Sequence, residues 1–270
     1  MANLSIDTHN MYYEASDIRL PNNTLFIHGN LAHLDWWKPT FNSIRRQDNK
    51  WAGKVYAADW RGCGKSSDTQ DKEELLIENL ATDQLKLLDH LGLEKVDLVG
   101  HSTGGLIALQ MMVMQPQRFG KVIFLDSVGA KGVALEPEML SAFDQMREDR
   151  KVVEAVMATT IHKVNTSGDF FQKVVVDGAF GVAAPNWAGI PEALTKIDLS
   201  NELSKLSHPS LVIHGKEDTV LNIDDSKFLA ENLPNATFLA LDDVGHSLNV
   251  EDPDRMANFI VEFFATHSSH

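Results

Sequence analysis

Six short apolar runs punctuate the chain, at residues 24–27, 54–58, 96–99, 121–125, 210–213 and 236–241, each followed by turn residues. Continuous apolar runs of this length predict strands buried on both faces, as in a parallel sheet covered by helices. Between them the period becomes helical. Residues 71–91 put Leu76, Leu80, Leu87 and Leu91 on one face, and Gly92 stops the run. Residues 102–114 form a second helical pattern, ended near Pro116. In the last one Asp252 and Pro253 stand as N-cap and first helical residue. Met256, Phe259, Ile260, Phe263 and Phe264 make its apolar stripe. Strands alternating with helices predict an α/β fold: a mainly parallel central sheet with helices on both faces.

The alternation breaks once. After Asp126 no convincing strand pattern recurs until Ser210, and Met139, Leu140, Phe143, Met146 and Val153 follow helical spacing. This predicts a core of residues 1–131, a helical cap of residues 132–206 over the C-terminal edge of the sheet, and a core that resumes over residues 207–270. Internal repeats and low-complexity tracts are absent from the sequence.

Composition narrows the function. A chain of 270 residues, 43% apolar and 23% charged, is an ordinary globular protein. A net charge of -14 repels phosphate backbones and anionic lipid, so neither nucleic acid nor a membrane surface is expected as a partner. Cys63 is the single cysteine, which rules out an intrachain disulfide and a cysteine-rich metal site. It reads as a small packing residue. No clustered ligand set suggests a metal, and no cofactor is expected. The first 13 residues lack the apolar stretch of a secretory signal, and no run is long enough to span a bilayer. A cytoplasmic protein without stable membrane insertion is the expectation. No pattern in the chain specifies an oligomeric state.

The chemistry lies in the turns. Gly100-His101-Ser102-Thr103-Gly104 follows the strand at 96–99 and opens a helix. That setting makes it a nucleophile elbow: a sharp turn that exposes the serine hydroxyl above the sheet, with the positive end of a helix dipole beneath it. A hydroxyl needs a base to take its proton. Of 11 histidines, His246 sits in Val244-Gly245-His246-Ser247, between the last strand and the last helix. In a parallel sheet that loop falls on the same edge as the elbow. The others have plainer settings: His90 lies in a polar helix region, His208 precedes Pro209, His267 and His270 are tail residues, and His162 is expected at the surface of the cap. A carboxylate must orient the imidazole. Asp218, in His214-Gly215-Lys216-Glu217-Asp218, follows the strand at 210–213, with Glu217 and Asp126 as rivals. Two N–H donors for an oxyanion are expected from Thr103 and from Asn30 in Phe26-Ile27-His28-Gly29-Asn30, where Gly29 lets backbone approach substrate.

Together with Asp59-Trp60-Arg61-Gly62-Cys63-Gly64-Lys65-Ser66, these segments resemble the α/β-hydrolase family, in its capped serine esterase and lactonase branch. The order Ser…Asp…His is that family's order. The resemblance implies a Ser102–His246–Asp218 triad, an oxyanion hole at Asn30 and Thr103, and hydrolysis of an ester, thioester or lactone with an apolar acyl group through an acyl-enzyme. Acyl-homoserine lactone hydrolysis is one candidate it suggests. A carbon–carbon hydrolase or a cofactor-free perhydrolase would use the same triad, and a ligand receptor of the same fold would turn over little. His28-Gly29-Asn30 also occurs in haloalkane dehalogenases, which use an aspartate where this chain has Ser102. Two departures stand out: the short N-terminal region predicts a reduced or missing first antiparallel strand, and Cys63 stands where relatives carry a larger residue. Trp36, Trp37, Phe143 and Met146 are the expected substrate-binding residues, although the two tryptophans would serve equally to pack a helix on the sheet. Met139, Phe170, Phe171, Phe180 and Trp187 supply further apolar groups in the cap.

Overall fold

The computed structural model describes residues 2–6, 9–47 and 50–266; His267 and His270 lie outside the described residues. Eight strands form one sheet in the order β1-β2-β4-β3-β5-β6-β7-β8. They are β1 (Ala2–Ile6), β2 (His9–Leu20), β3 (Thr24–Ile27), β4 (Gly53–Ala58), β5 (Val96–His101), β6 (Phe119–Leu125), β7 (Ser210–Gly215) and β8 (Ala236–Leu241). From β4 to β8 every pairing is parallel. All six apolar runs are strands.

The N-terminus corrects one expectation. Far from missing, β1 and β2 form an antiparallel pair, and β2 continues antiparallel onto β4. Buried or half-buried residues alternate with exposed ones in β1, and in β2 Met11, Tyr12 and Tyr13 are buried in a row while residues 14–17 are half-buried or exposed. Polar residues among the buried ones leave no long continuous apolar run to betray these strands.

Side chains of the central strands divide between two cores at the period of two that the pleat imposes. Leu25, Ile27, Leu98 and Val122 join the cluster that includes α2 (Ile77–His90) and α3 (Thr103–Met114). Phe26, Val99 and Ile123 join the opposite one, with α1 (Lys38–Arg45) and α10 (Pro253–Ala265). In α10 Asp252 accepts from the Arg255 N–H as N-cap, and Met256, Ile260 and Phe264 are buried while Phe259 and Phe263 are only partly so. The long helix expected over 71–91 is broken. Asp71 caps a short 3-10 turn (Lys72–Leu75), Leu76 is extended, and α2 begins at Ile77.

Between β6 and β7 come only helices among the described residues: α4 (Pro137–Met146), α5 (Arg150–Thr159), a π-helix (Phe170–Val176), α6 (Asp177–Phe180), α7 (Ala184–Thr195) and a 3-10 turn (Ser200–Lys205). The core then adds α8 (Ile223–Asn232) and α9 (Leu248–Glu251). No helix of the described residues is long and apolar enough to cross a membrane.

The loop after β4 anchors the sheet to α2. Arg61 donates from Nε and Nη2 to the two oxygens of Asp83, each at 2.8 Å, and both residues are at most 8% exposed. His9 Nε2 lies 3.3 Å from the same carboxylate. Removing one partner of a buried ion pair leaves an uncompensated charge, at a cost of about 3–5 kcal/mol. Arg61→Ala is therefore expected to lose stability of that order in urea unfolding; a loss below about 1 kcal/mol would show the pair to behave like an exposed one.

Candidate active site

Parallel pairing puts the C-terminal ends of β3, β5, β6, β7 and β8 on one edge, and every residue singled out from the sequence as chemically active follows one of those ends. Ser102 occupies the turn from β5 into α3 at φ 55°, ψ -124°, a conformation that costs a non-glycine residue about 1–3 kcal/mol. The turn is held from outside: Ser102 N–H donates to the Leu125 carbonyl at 3.0 Å, and Val128 N–H donates to the Ser102 carbonyl at 3.1 Å. Gly104 is required here, because a Cβ at that position would lie 2.3 Å from the Ile27 carbonyl oxygen. Thr103 is the first residue of α3, where backbone N–H groups have no helical acceptor.

His246 follows β8. Its Nδ1 donates to Asp218 Oδ2 at 2.8 Å, since an ionised carboxylate only accepts, and Nε2 is left as the basic nitrogen. Asp218 Oδ1 accepts from the N–H groups of Val220 (2.7 Å) and Leu221 (3.0 Å). Burial pushes the Asp218 pKa up, but the His246 hydrogen bond and charge and these two backbone donors outweigh it, and the net shift is downward. Asp218 is thus ionised at neutral pH. Ser102 and His246 line one cavity of about 320 Å³. No hydrogen bond joins them, a looseness common before substrate is bound.

The rival acids fall elsewhere. Glu217 is exposed, and only its N–H is engaged, with the Val244 carbonyl. Asp126 is 0% exposed, and its Oδ1 accepts from Gly215 N–H at 2.8 Å. Burial first, and the nearby Asp218 charge second, raise its pKa well above the carboxylate range, so it is neutral where Asp218 is charged. His214 lies between the two, with Nε2 3.5 Å from Asp218 Oδ2 and Nδ1 2.9 Å from Ser226 Oγ; burial lowers its pKa. Asp126, His214 and Asp218 have the spacing of metal ligands. Asp218 Oδ2, however, already accepts the His246 proton, which argues against this trio as a metal centre.

Asn30, Thr103, Trp36 and Phe143 line the cavity with Ser102. Trp37 and Met146 do not. Trp36 and Trp37 share a 3-10 turn (Leu34–Trp37), which sends consecutive side chains about 120° apart. Trp36 turns to the cavity, whereas Trp37 is fully buried edge-on against Phe26 at 5.1 Å. Met146 stands about 4.5 Å further along α4 than Phe143, past the lining, and packs against the hydrophobic core. Of the other residues singled out between β6 and β7, Met139 lines the cavity, Phe171 and Trp187 are buried in the core, Phe180 is exposed and His162 is half-buried. Val128, Val156, Met157, Leu194 and Leu221 complete the apolar wall. Nothing in their local sequence marked them, because which face of a helix meets the cavity is settled by packing.

The raised Asp126 pKa has a consequence for stability. The native state keeps a proton that the unfolded chain gives up above the ordinary carboxylate pKa, so wild-type stability falls as pH rises through that window. Asp126→Asn keeps the acceptor for Gly215 and removes the titration. The variant is expected to gain on wild type as pH rises above the ordinary carboxylate pKa of about 4 in urea unfolding. Parallel stability curves would refute a neutral Asp126.

A family model for the alpha/beta hydrolase fold matches residues 25–253. The chain is 31% identical over 204 residues, 74% of each protein, to 3-oxoadipate enol-lactonase 2 of Acinetobacter baylyi. It is 26% identical over 234 residues, 80% of this chain and 79% of the relative, to 2-hydroxymuconate semialdehyde hydrolase of Pseudomonas putida. Among solved structures an esterase from Exiguobacterium antarcticum shares the fold with a TM-score of 0.85 at 18% identity, over 97% of both chains. Sheet order, elbow and family match agree: the chain belongs to the alpha/beta-hydrolase family, alongside esterases and lactonases.

Proposed function

We propose that this hydrolase cleaves an ester, thioester or lactone whose acyl part is apolar and uncharged, with Ser102 as nucleophile, His246 as base and Asp218 as its orienting acid. The observation that carries this is the 2.8 Å bond from His246 Nδ1 to an ionised Asp218, in the same cavity as a strained, cavity-facing Ser102. His246 Nε2 takes the hydroxyl proton as Oγ attacks the carbonyl carbon. Asp218 stabilises the imidazolium that results. Backbone N–H groups of Thr103 and Asn30 receive the oxyanion. His246 then protonates the leaving oxygen or sulfur, an acyl-enzyme remains, and the same imidazole activates water to release the acid.

The acyl class follows from the lining. Trp36, Phe143, Val156, Met157, Leu194 and Leu221 make it apolar, and no Lys, Arg, Asp or Glu is among the described residues that line it. His101 is there, but burial, then repulsion from His246, lowers its pKa to about 3, so it is neutral. A carboxylate on the acyl chain would lose its water and gain no partner. The adipate and muconate in the two relatives' names are carboxylates, and such substrates are a poor match for this cavity. Acyl-homoserine lactones are uncharged and belong to the favoured class.

Ser102→Ala is expected to lower kcat by about 10⁶-fold and to abolish labelling by a fluorophosphonate, with the unfolding midpoint kept. A wild-type protein that fails to label would point instead to a receptor of the same fold. Acyl charge is tested with p-nitrophenyl esters of rising chain length, each paired with the same chain ending in a carboxylate. The charged member is expected to have a kcat/KM about 10²-fold lower or worse; equal values within pairs would overturn the uncharged class.

A further inference from the structure

His246 is held by its peptide as well as by its ring. Glu251 closes α9, five residues beyond it. Glu251 Oε2 accepts from Gly245 N–H at 2.8 Å, and Oε1 accepts from Ser247 N–H at 3.0 Å. One carboxylate therefore ties down the N–H groups on both sides of His246. The approach depends on Gly245, where a Cβ would lie 3.0 Å from Glu251 Oε1 and 2.8 Å from His162 Cβ. No ion pair is made by Glu251 among the described residues, so both oxygens are committed to these two donors. Two further bonds complete the clamp. His101 is neutral, and its Nε2–H donates to the His246 carbonyl at 2.7 Å. Ser247 Oγ donates to the Thr160 carbonyl in the cap at 2.7 Å.

The loop needs such a clamp. Residues 242–247 have no helix or strand of their own, and Asp243 has φ 61°. The bond to Asp218 restrains one ring atom of His246 but leaves its Cα free to shift with the loop. A shift of that kind moves Nε2 relative to Ser102, and a displacement near 1 Å costs about 10²-fold in rate.

We propose that Glu251 is a positioning residue: its two-oxygen grip on the Gly245 and Ser247 peptides fixes the His246 backbone so that the imidazole spans from Asp218 toward Ser102. This rests on His246 acting as the base for Ser102. Glu251→Gln keeps one acceptor oxygen and Glu251→Ala keeps none, so the loss is graded. With an uncharged p-nitrophenyl ester, kcat is expected to fall about 10-fold in the Gln variant and about 10²-fold in the Ala variant, while KM stays within about twofold. The rate of fluorophosphonate labelling at Ser102 should fall in the same order. Urea unfolding checks that each variant is folded; should the Ala variant fail to fold, the Gln variant decides. An unchanged kcat, a loss confined to KM, or a Gln variant as impaired as Ala would overturn the proposal. Turnover that survives Ser102→Ala would instead defeat the assignment of the nucleophile, whatever the Glu251 variants do.

Discussion

The close approach of α3 to β3 is the constraint on which the site depends. Gly104 sits so near the Ile27 carbonyl that no side chain fits between helix and strand. That contact lets the chain reverse from β5 into α3 within one residue, and Ser102 carries the backbone strain at φ 55°. A wider turn would relieve the strain and lower the hydroxyl into the sheet. The conformation persists because hydrogen bonds to Leu125 and Val128 over-determine it. Parallel pairing then delivers the loops after β7 and β8 to the same edge, where Asp218 and His246 meet.

Electrostatics at that edge follow from burial. Asp126, Asp218, His101 and His214 crowd at or behind the cavity wall, and the low dielectric tolerates a charge only where donors surround it. Asp218 has them: two backbone N–H groups and an imidazole. Asp126 has one N–H and a charged neighbour, and so it keeps its proton. His101 and His214 are both driven toward their neutral forms, which leaves them as fixed hydrogen-bonding groups. The Asp218 charge thus faces the imidazole of the proposed base, while the Glu251 carboxylate sits on the peptides either side of it. The imidazolium formed during attack would be the matching positive charge, and it would disappear when the proton passes to the leaving group.

The cavity carries the same logic outward. Its walls come from loops at the sheet edge and from the helices between β6 and β7, and they present aliphatic and aromatic groups with a few hydroxyls and one carboxamide. A net charge of -14 is therefore placed elsewhere on the molecule. An apolar chain would gain from being buried there, while in the proposed reaction the polar bond would be met by Ser102, His246 and backbone donors.

The amino-acid sequence by itself determined the six central strands, the elbow at Ser102, and the loops of Asp218 and His246. These signals are local: a buried strand needs a continuous apolar run, and a strained turn needs small residues beside it. Only the tertiary structure decided what depends on a neighbour distant in the chain. It revealed β1 and β2, whose buried positions are interrupted by polar residues, and it sent Trp36 to the cavity but Trp37 to the core. It placed Met146 past the lining and separated Asp218 from its rival Asp126, since their surroundings favour charge on the first and a proton on the second. It also brought Glu251 onto the peptides beside His246. The reason is common to all of these: a side chain's direction, dielectric and hydrogen-bond partners belong to the packed assembly, and no short segment contains them.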